Sequence, residues 1–256
     1  MLKVRVIPTL LWKNPGLVKG VGFDSWRRVG TVLPAIKVYN MRDVDELIVV
    51  DIAASHEKRA PEHETVADFS SYCFVPLTVG GGITGVEQIA QLLRAGADKI
   101  SLNTGAFDDP GLVTAAARRF GAQCVVASVD VRRREDGGVT CVSLSGTADT
   151  GLDPVEWARE LADRGAGEIL LTSVERDGTM EGYDLDMIAR VSGAVSVPVI
   201  ASGGAGTYQH MVDAVRAGAS AVAAASMFHF TQQTPAEAKK ALDAAGIPVR
   251  KNFVAA

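Results

Sequence analysis

Residues 75–104 read VPLTVGGGITGVEQIAQLLRAGADKISLNT, and residues 197–226 read VPVIASGGAGTYQHMVDAVRAGASAVAAAS. Pro76 aligns with Pro198, Gly81 with Gly203, Gly82 with Gly204, and Arg94-Ala95-Gly96-Ala97 with Arg216-Ala217-Gly218-Ala219, every pair 122 positions apart. A constant offset over so long a stretch marks two copies of one supersecondary unit. Each copy opens on an apolar run, 75–79 or 197–201, short enough for a fully buried strand. Glycines follow, and then a helical spacing of Val86, Ile89, Leu92 and Leu93 in one copy and Met211, Val212 and Val215 in the other. An Ala-Gly-Ala turn leads into a second strand, Lys99–Asn103 or Ser220–Ala225. Strand, helix, strand implies parallel strands. Glycine between a strand and a helix lets the backbone approach a ligand and aim its N–H groups at an anion. One such motif alone reads as a tight turn. A matched pair points to two phosphate sites on opposite sides of a pseudo-symmetric protein.

The chain has 256 residues, 47% of them hydrophobic, with 26 glycines. That length suits one α/β barrel of about 250 residues or two small domains, and the repeat favours a single closed domain over 1–256. A net charge of −4 argues against a general nucleic-acid binder. No apolar run approaches the ~20 residues of a membrane span, and MLKVRVIPTLLWKN is too quickly interrupted for a signal peptide. The expected location is the cytoplasm. Cys73, Cys124 and Cys141 are odd in number and lack metal-ligand spacing, and His56, His63, His210 and His229 form no metal pattern, so neither metal nor cofactor is expected.

In chain order, Val4–Leu11 reads as strand one, 12–30 as a long loop carrying Lys13, Asn14, Gly16, Lys19 and Gly20, and 31–43 as a helix. Glu46–Asp51 is strand two, followed by a polar, basic loop over 52–60 and a helix over 63–71. After the first copy come a helix over 110–119, strand five over Gln123–Asp130, and an insert over 131–152. The insert contains Asp136-Gly137-Gly138 as a hairpin turn and a strand-like Val139–Leu144. A helix over 153–165 and a strand over Glu168–Ser173 precede the second copy, and a helix over 235–245 closes the chain. Eight strands alternating with eight helices predict a (β/α)8 TIM barrel built from two duplicated half-barrels, with its chemistry at the C-terminal ends of the strands. Glu46 and Glu168 share the offset of 122, Asp51 falls opposite Ser173, and Ser55 opposite Asp177. Strand one laid on strand five puts Leu11 opposite Asp130, an offset of 119. Only one of these two pseudo-equivalent positions carries a carboxylate, whereas proton transfer at both ends of a substrate needs two titratable groups.

TVGGGI (78–83), ADKISLNT (97–104), GAGEILLTSVERDGT (165–179), GYD (182–184), VIASGGAG (199–206) and AASMFHF (224–230) together resemble, over essentially the whole chain, the HisF family. HisF is the cyclase subunit of imidazole glycerol phosphate synthase. The resemblance implies a barrel partnered by a glutaminase of the HisH type, with ammonia entering at the N-terminal face and reacting at the C-terminal face. The acceptor there is a bis-phosphorylated ribulosyl nucleotide, and the products are imidazole glycerol phosphate and an aminoimidazole carboxamide ribotide. It assigns phosphate and substrate contacts to Gly82, Asn103 and Thr104 in the first half and to Asp177, Gly178, Thr179, Gly204, Ala225 and Ser226 in the second. It makes Lys19 a lysine of a flexible loop that closes over substrate, places Asp51 on the substrate side and makes Asp130 a catalytic aspartate. Arg5, Glu46, Lys99 and Glu168 match a charged ring at the ammonia entrance, and Asp98 the glutaminase contact.

The departure lies in strand one. The family pattern Ile-Pro-x-Leu-Asp-Val-Lys becomes Ile7-Pro8-Thr9-Leu10-Leu11-Trp12-Lys13, and Gly22–Arg28 also differs from the usual family sequence. Leucine cannot exchange a proton. A divergent HisF-type group serves the conversion of acetamido to acetamidino sugars for surface polysaccharide, with its own glutaminase and a sugar amidotransferase, and the Asp-to-Leu change resembles that group. The first expectation is therefore a conduit for ammonia in sugar amidination. The alternative is a true cyclase subunit in histidine biosynthesis. A phosphoribosyl isomerase of the same pathway fits VASVDVRRR (126–134) and the charged floor poorly, and a non-catalytic phosphate-binding scaffold is the remaining possibility.

Overall fold

The computed structural model describes residues 3–14 and 16–251; Met1, Leu2, Pro15 and residues 252–256, which the single-domain reading of 1–256 also took in, lie outside the described residues. The first half runs β1 (Arg5–Lys13), β2 (Gly16–Val21), β3 (Asp24–Gly30), α1 (Val32–Asn40), β4 (Leu47–Asp51), α2 (His63–Ser70), β5 (Leu77–Gly80), α3 (Val86–Arg94), β6 (Lys99–Leu102), α4 (Thr104–Asp108) and α5 (Gly111–Phe120). The second runs β7 (Val125–Arg133), β8 (Val139–Ser143), β9 (Ala148–Asp149), α6 (Pro154–Asp163), β10 (Glu168–Ser173), α7 (Leu185–Ser192), β11 (Val199–Ser202), α8 (Tyr208–Arg216), β12 (Ala221–Ala224), α9 (Ser226–Phe230) and α10 (Pro235–Ala244). Strands β1, β4, β5, β6, β7, β10, β11 and β12 pair in that order, all parallel, and β12 returns to β1. This is the closed (β/α)8 barrel expected from the repeat.

Alternation along each strand separates two apolar layers. Ile7, Ile48, Val126, Leu170, Ile200, Ala221 and Ala223 point inward and fill the barrel. Their neighbours Val6, Leu47, Val49, Ile100, Val125, Ala127, Ile169, Val199 and Val222 point outward and pack beneath the helices. Both faces of each strand are therefore dry, which is why the strands read as continuous apolar runs rather than as alternating ones. The helices meet this outer layer with narrow apolar stripes such as Ile89, Ala90 and Leu92 of α3 and Met211, Val212 and Ala214 of α8. Several of their starts are fixed by side-chain caps. Asp153 accepts from Val155 and Glu156 ahead of Pro154, and the Thr207 and Thr234 hydroxyls accept from His210 and Glu237.

The duplication extends beyond the quoted stretches. β1 and β7 are both nine residues long, and each runs past the barrel rim into an antiparallel hairpin: β2–β3 after β1, and β8–β9 after β7. The expected loop over 12–30 is thus corrected to a hairpin. Its glycines and lysine read locally as loop, but the extended rim of β1 supplies a pairing edge (Leu11 with Val18, Trp12 with Leu17) that sequence alone does not display. The short helices α4 and α9, starting at Thr104 and Ser226, occupy equivalent places after β6 and β12. Among the described residues no helix is long and apolar enough to cross a membrane.

Candidate active site

The glycine pairs that define the repeat sit at the C-terminal rim, and close packing makes them glycine. Gly81 and Gly82 have φ of 107° and 70°, and Gly203 and Gly204 of 83° and 105°, a region that disfavours a side chain. A Cβ on Gly81 would lie 2.2 Å from the Asp51 carbonyl oxygen, and one on Gly203 would lie 2.5 Å from that of Ser173. Asp51 and Ser173 are the residues already paired by the 122-residue offset. The two turns are the same device used twice.

Between them opens a cavity of about 1140 Å³, its open mouth included, large enough for a bis-phosphorylated ligand. Of the residues singled out in the sequence, Leu11, Asp51, Gly82, Asn103, Thr104, Asp130, Asp177, Gly178, Gly204, Ala225 and Ser226 all line it. Thr179 does not. Its hydroxyl donates to the Arg176 carbonyl at 2.8 Å and accepts from the Glu181 N–H at 3.2 Å, so it shapes the turn behind the cavity. Lys19 does not line it either. It belongs to β2 rather than to a flexible loop, is 2% exposed, and donates from Nζ to the Thr9 carbonyl at 3.0 Å. The sequence reading missed Thr9, Phe23, Trp26, Ser101, Ser128, Ser145 and Thr172 as lining residues. Thr9, Ser101 and Ser128 could have been found by counting two positions back from Leu11, Asn103 and Asp130 at the expected strand ends.

The rim hairpins roof the cavity. The Gly22 N–H donates to the Asp177 carbonyl at 2.9 Å, and a Cβ on Gly178 would lie 2.2 Å from the Gly20 oxygen, so β2 rests directly on the loop after β10. From the other half, the Ser145 hydroxyl donates to the Ile52 carbonyl at 2.7 Å and the Asn103 amide donates to the Ser128 and Val142 carbonyls at 3.2 and 3.3 Å. Asp51 is engaged as a brace. One oxygen accepts from the Ala53 and Ala54 N–H groups and the other pairs with Arg59 at 3.0 Å, which fixes the loop beside Gly82.

Asp130 lines the cavity and is buried. Burial pushes its carboxyl up to about 7, against the pull of the Ser128 and Thr172 hydroxyls and with a smaller push from Asp177. Burial likewise raises Asp177 to about 6, although Lys19 opposes it, and lowers Lys19 to about 7, although Asp177 opposes that. Asp130 and Asp177, two carboxyls poised near neutrality on one cavity, suit general acid–base chemistry. The strand-one counterpart is asymmetric. The Ser128 hydroxyl donates to Asp130 Oδ1 at 3.2 Å, whereas Thr9 Oγ1, the same position 119 residues earlier, is buried with no hydrogen-bond partner among the described residues. Leu11, two positions on as Asp130 is from Ser128, offers it no acceptor. Trp12 leaves the cavity alone: it points outward and meets Phe69 edge-on, with centroids 5.6 Å apart.

At the opposite end the four charged residues close a ring. Arg5 reaches Glu46 and Glu168 at 2.7 Å each, and Lys99 reaches the same two carboxylates at 3.0 Å each. Burial alone would lower Arg5, but Glu168 and Glu46 outweigh it and raise it. The inward apolar layer separates this ring from Asp130. Asp98 is exposed beside it and accepts from the Leu77 N–H at 2.8 Å.

The family model for histidine biosynthesis proteins matches residues 5–234. Imidazole glycerol phosphate synthase subunit HisF of Caulobacter vibrioides is 48% identical over 252 residues, covering 98% of this chain and 97% of that one. The subunits of the same name from Gluconacetobacter diazotrophicus and Hyphomonas neptunium are 48% and 50% identical, covering 98% of this chain and 97% and 99% of their own. With its duplicated barrel and its two matched glycine turns, the chain belongs to the histidine biosynthesis protein family, as one of its HisF members.

Proposed function

We propose that the chain is the barrel subunit of an imidazole glycerol phosphate synthase, joining ammonia from a glutaminase partner to a bis-phosphorylated ribulosyl nucleotide. One observation carries the reading. A single cavity is lined by two glycine turns 122 residues apart and by a buried carboxyl raised to about 7. The turns suit the two terminal phosphates, with backbone N–H groups of the Gly82 and Gly204 turns and the starts of α4 and α9 as donors. Asp130, in part ionised and in part protonated at neutral pH, suits proton removal from an amine adduct. The ring of Arg5, Glu46, Lys99 and Glu168 stands where ammonia would enter from the glutaminase, and exposed Asp98 beside it suits the partner contact. The relatives' names favour this role over sugar amidination, the reading put first from the sequence, and none of them supports a sugar amidotransferase partner.

Leu11 favours one second reading, in which ammonia passes through the barrel to a different acceptor. The deciding experiment is steady-state turnover of the ribulosyl substrate with ammonium salt at mildly alkaline pH, without glutaminase, for the natural chain and Leu11→Asp. Turnover by the natural chain upholds the cyclase role. Turnover by Leu11→Asp alone shows a pocket that kept its ligand and lost this chemistry, and overturns the role for the natural protein.

A further inference from the structure

Arg5 is the fork of the charged ring, reaching Glu46 with one terminal nitrogen and Glu168 with the other, at 2.7 Å each. No cation repeats it in the second half, where the position 119 residues on is Cys124. Both backbone neighbours of Arg5 are tied to the end of the chain, Val4 directly and Val6 through a buried ion pair. The Val4 N–H donates to the Pro248 carbonyl at 2.8 Å, and Val4 bridges Val249. The Val6 N–H donates to Asp45 Oδ2 at 2.9 Å, and the Val6 carbonyl accepts from the Asp45 N–H at 3.3 Å. The other Asp45 oxygen meets the Lys239 ammonium of α10 at 2.8 Å, and Asp43 lies 3.3 Å from the same nitrogen. Lys239 and Asp45 are 4% and 5% exposed, and charges so deeply buried persist only when paired. Asp45 directly precedes Glu46 and grips the residue after Arg5, so one side chain joins two members of the ring.

The second half makes the same joint without charge. Gly167, 122 positions after Asp45, donates its N–H to the Val125 carbonyl at 2.9 Å, and Val125 is 119 positions after Val6. The Val125 N–H donates to the Ala122 carbonyl, whose oxygen would lie 2.2 Å from a Cβ on Gly167. Backbone alone therefore closes the joint where no cation stands beside it. Of the two joints, the one with a buried ion pair is the one that carries Arg5.

Resting on the ammonia entrance proposed above, we infer that Lys239 is a positioning residue of the ring. Its ammonium neutralises Asp45, Asp45 fixes the start of β1 against Glu46, and Arg5 is thereby aimed at both carboxylates. The last helix thus sets the geometry of the entrance from outside the barrel. Without the ion pair Arg5 loses its aim, and ammonia from the glutaminase escapes to solvent instead of crossing the floor.

The test uses the full chain in complex with the glutaminase subunit of the same organism. Turnover of the ribulosyl substrate is measured with glutamine and, separately, with saturating ammonium salt, and glutamate is counted beside product. Lys239→Met should lower glutamine-driven turnover about fivefold and leave ammonium-driven kcat within about twofold, the surplus glutamate marking lost ammonia. Lys239→Met/Asp45→Ala removes the unpaired Asp45 charge that could hinder folding, and should show the same loss. Lys239→Met/Asp45→Asn keeps an acceptor for the Val6 N–H with no charge to neutralise, and should recover at least about threefold over the alanine pair. Arg5→Met should lower the ratio of glutamine-driven to ammonium-driven turnover, and adding Lys239→Met should lower it no further. Equal falls in both turnovers, no difference between the alanine and asparagine pairs, or a full further loss on top of Arg5→Met overturns the inference and leaves the condensation standing. So does an Arg5→Met variant, or a natural complex, in which glutamine-driven turnover shows no dependence on the ring. If the natural chain makes no product with ammonium salt, the proposed function falls and the inference falls with it.

Discussion

Asp130→Asn should make the protein more stable while abolishing its chemistry, and the gain should depend on pH in a defined way. Burial raises the Asp130 carboxyl from its ordinary 3.8 to about 7. Each unit is worth about 1.4 kcal/mol, so holding the charged form in the folded protein costs about 4 kcal/mol. A carboxyl whose folded value lies above its unfolded one binds more protons when folded, so stability falls as pH rises between the two values. Below pH ~4 the group is neutral in both states and imposes no penalty. From there to pH ~7 stability drops by about 1.4 kcal/mol per unit, and above pH ~7 the whole penalty persists. Asparagine carries no charge and keeps an acceptor for the Ser128 hydroxyl, but its amide N–H groups need acceptors, which offsets about 1 kcal/mol. The net expectation is about 2–4 kcal/mol of added stability at pH 8 and a difference of less than about 1 kcal/mol at pH 4.5. Asp177 is raised too, but it titrates in both proteins and largely cancels in the comparison. Urea unfolding at pH 4.5, 6 and 8, with ammonium-dependent turnover measured alongside, reads both effects. An Asp130→Asn variant no more stable than the natural protein at pH 8, or an advantage of equal size at all three values, would refute the reasoning.

Gly204→Ala must place a Cβ 2.1 Å from the Gly182 oxygen at φ 105°. It should cost about 2–4 kcal/mol in urea unfolding and remove the thermal stabilisation that a bis-phosphorylated ligand confers on the natural chain. Glu168→Gln leaves Arg5 and Lys99 sharing one carboxylate in a partly buried ring; a loss of about 1–3 kcal/mol is expected, and it should shrink when Lys99→Met is added, as a double-mutant cycle measures. Leu11→Asp places a carboxyl beside the unpartnered Thr9 hydroxyl. Its destabilisation should be small at pH 4.5 and grow to about 1–3 kcal/mol at pH 8 in the same assay.

The barrel was legible because the repeat is legible. Two glycine turns at one spacing fixed strand–helix–strand units, and the charged starts of β1, β6 and β10, with Glu46 ahead of β4, announced a common floor that the ion pairs then close. The site residues on strand ends and glycine turns were legible for the same reason: their positions follow from periodicity. Lys19 and Thr179 were not. Whether a lysine in a glycine-rich segment hangs in solvent or folds under a hairpin depends on the overrunning edge of β1 and on the loop after β10, and neither is local to it. The pseudo-equivalent insert over 131–152 was the available signal, since its DGG turn already read as a hairpin. Thr179 continues the same Asp177-Gly178 motif, but the positive φ of Gly178 at 78° turns the next side chain back onto Arg176.

The two halves agree in the backbone of their glycine turns and differ in side chains around the cavity: Asp51 stands opposite Ser173, Ser55 opposite Asp177 and Leu11 opposite Asp130. Glycine turns, short rim helices and rim hairpins recur in both halves, because each is demanded by backbone packing that a duplicated unit inherits whole. The inward ends of β1 and β7 carry no such demand: Thr9 and Ser128 are both hydroxyls, but one faces Leu11 and the other Asp130. Had strand one diverged freely toward an apolar lining, the hydroxyl would have been as dispensable as the carboxyl, because a buried, unpartnered hydroxyl costs about 1–3 kcal/mol. Thr9 beside Leu11 leaves a polar atom in the cavity wall, and the buried Lys19 ammonium donates to that same residue's carbonyl. Strand one thus carries a leucine where β7 carries Asp130, over a hydroxyl that β7 matches with one satisfied by its carboxylate.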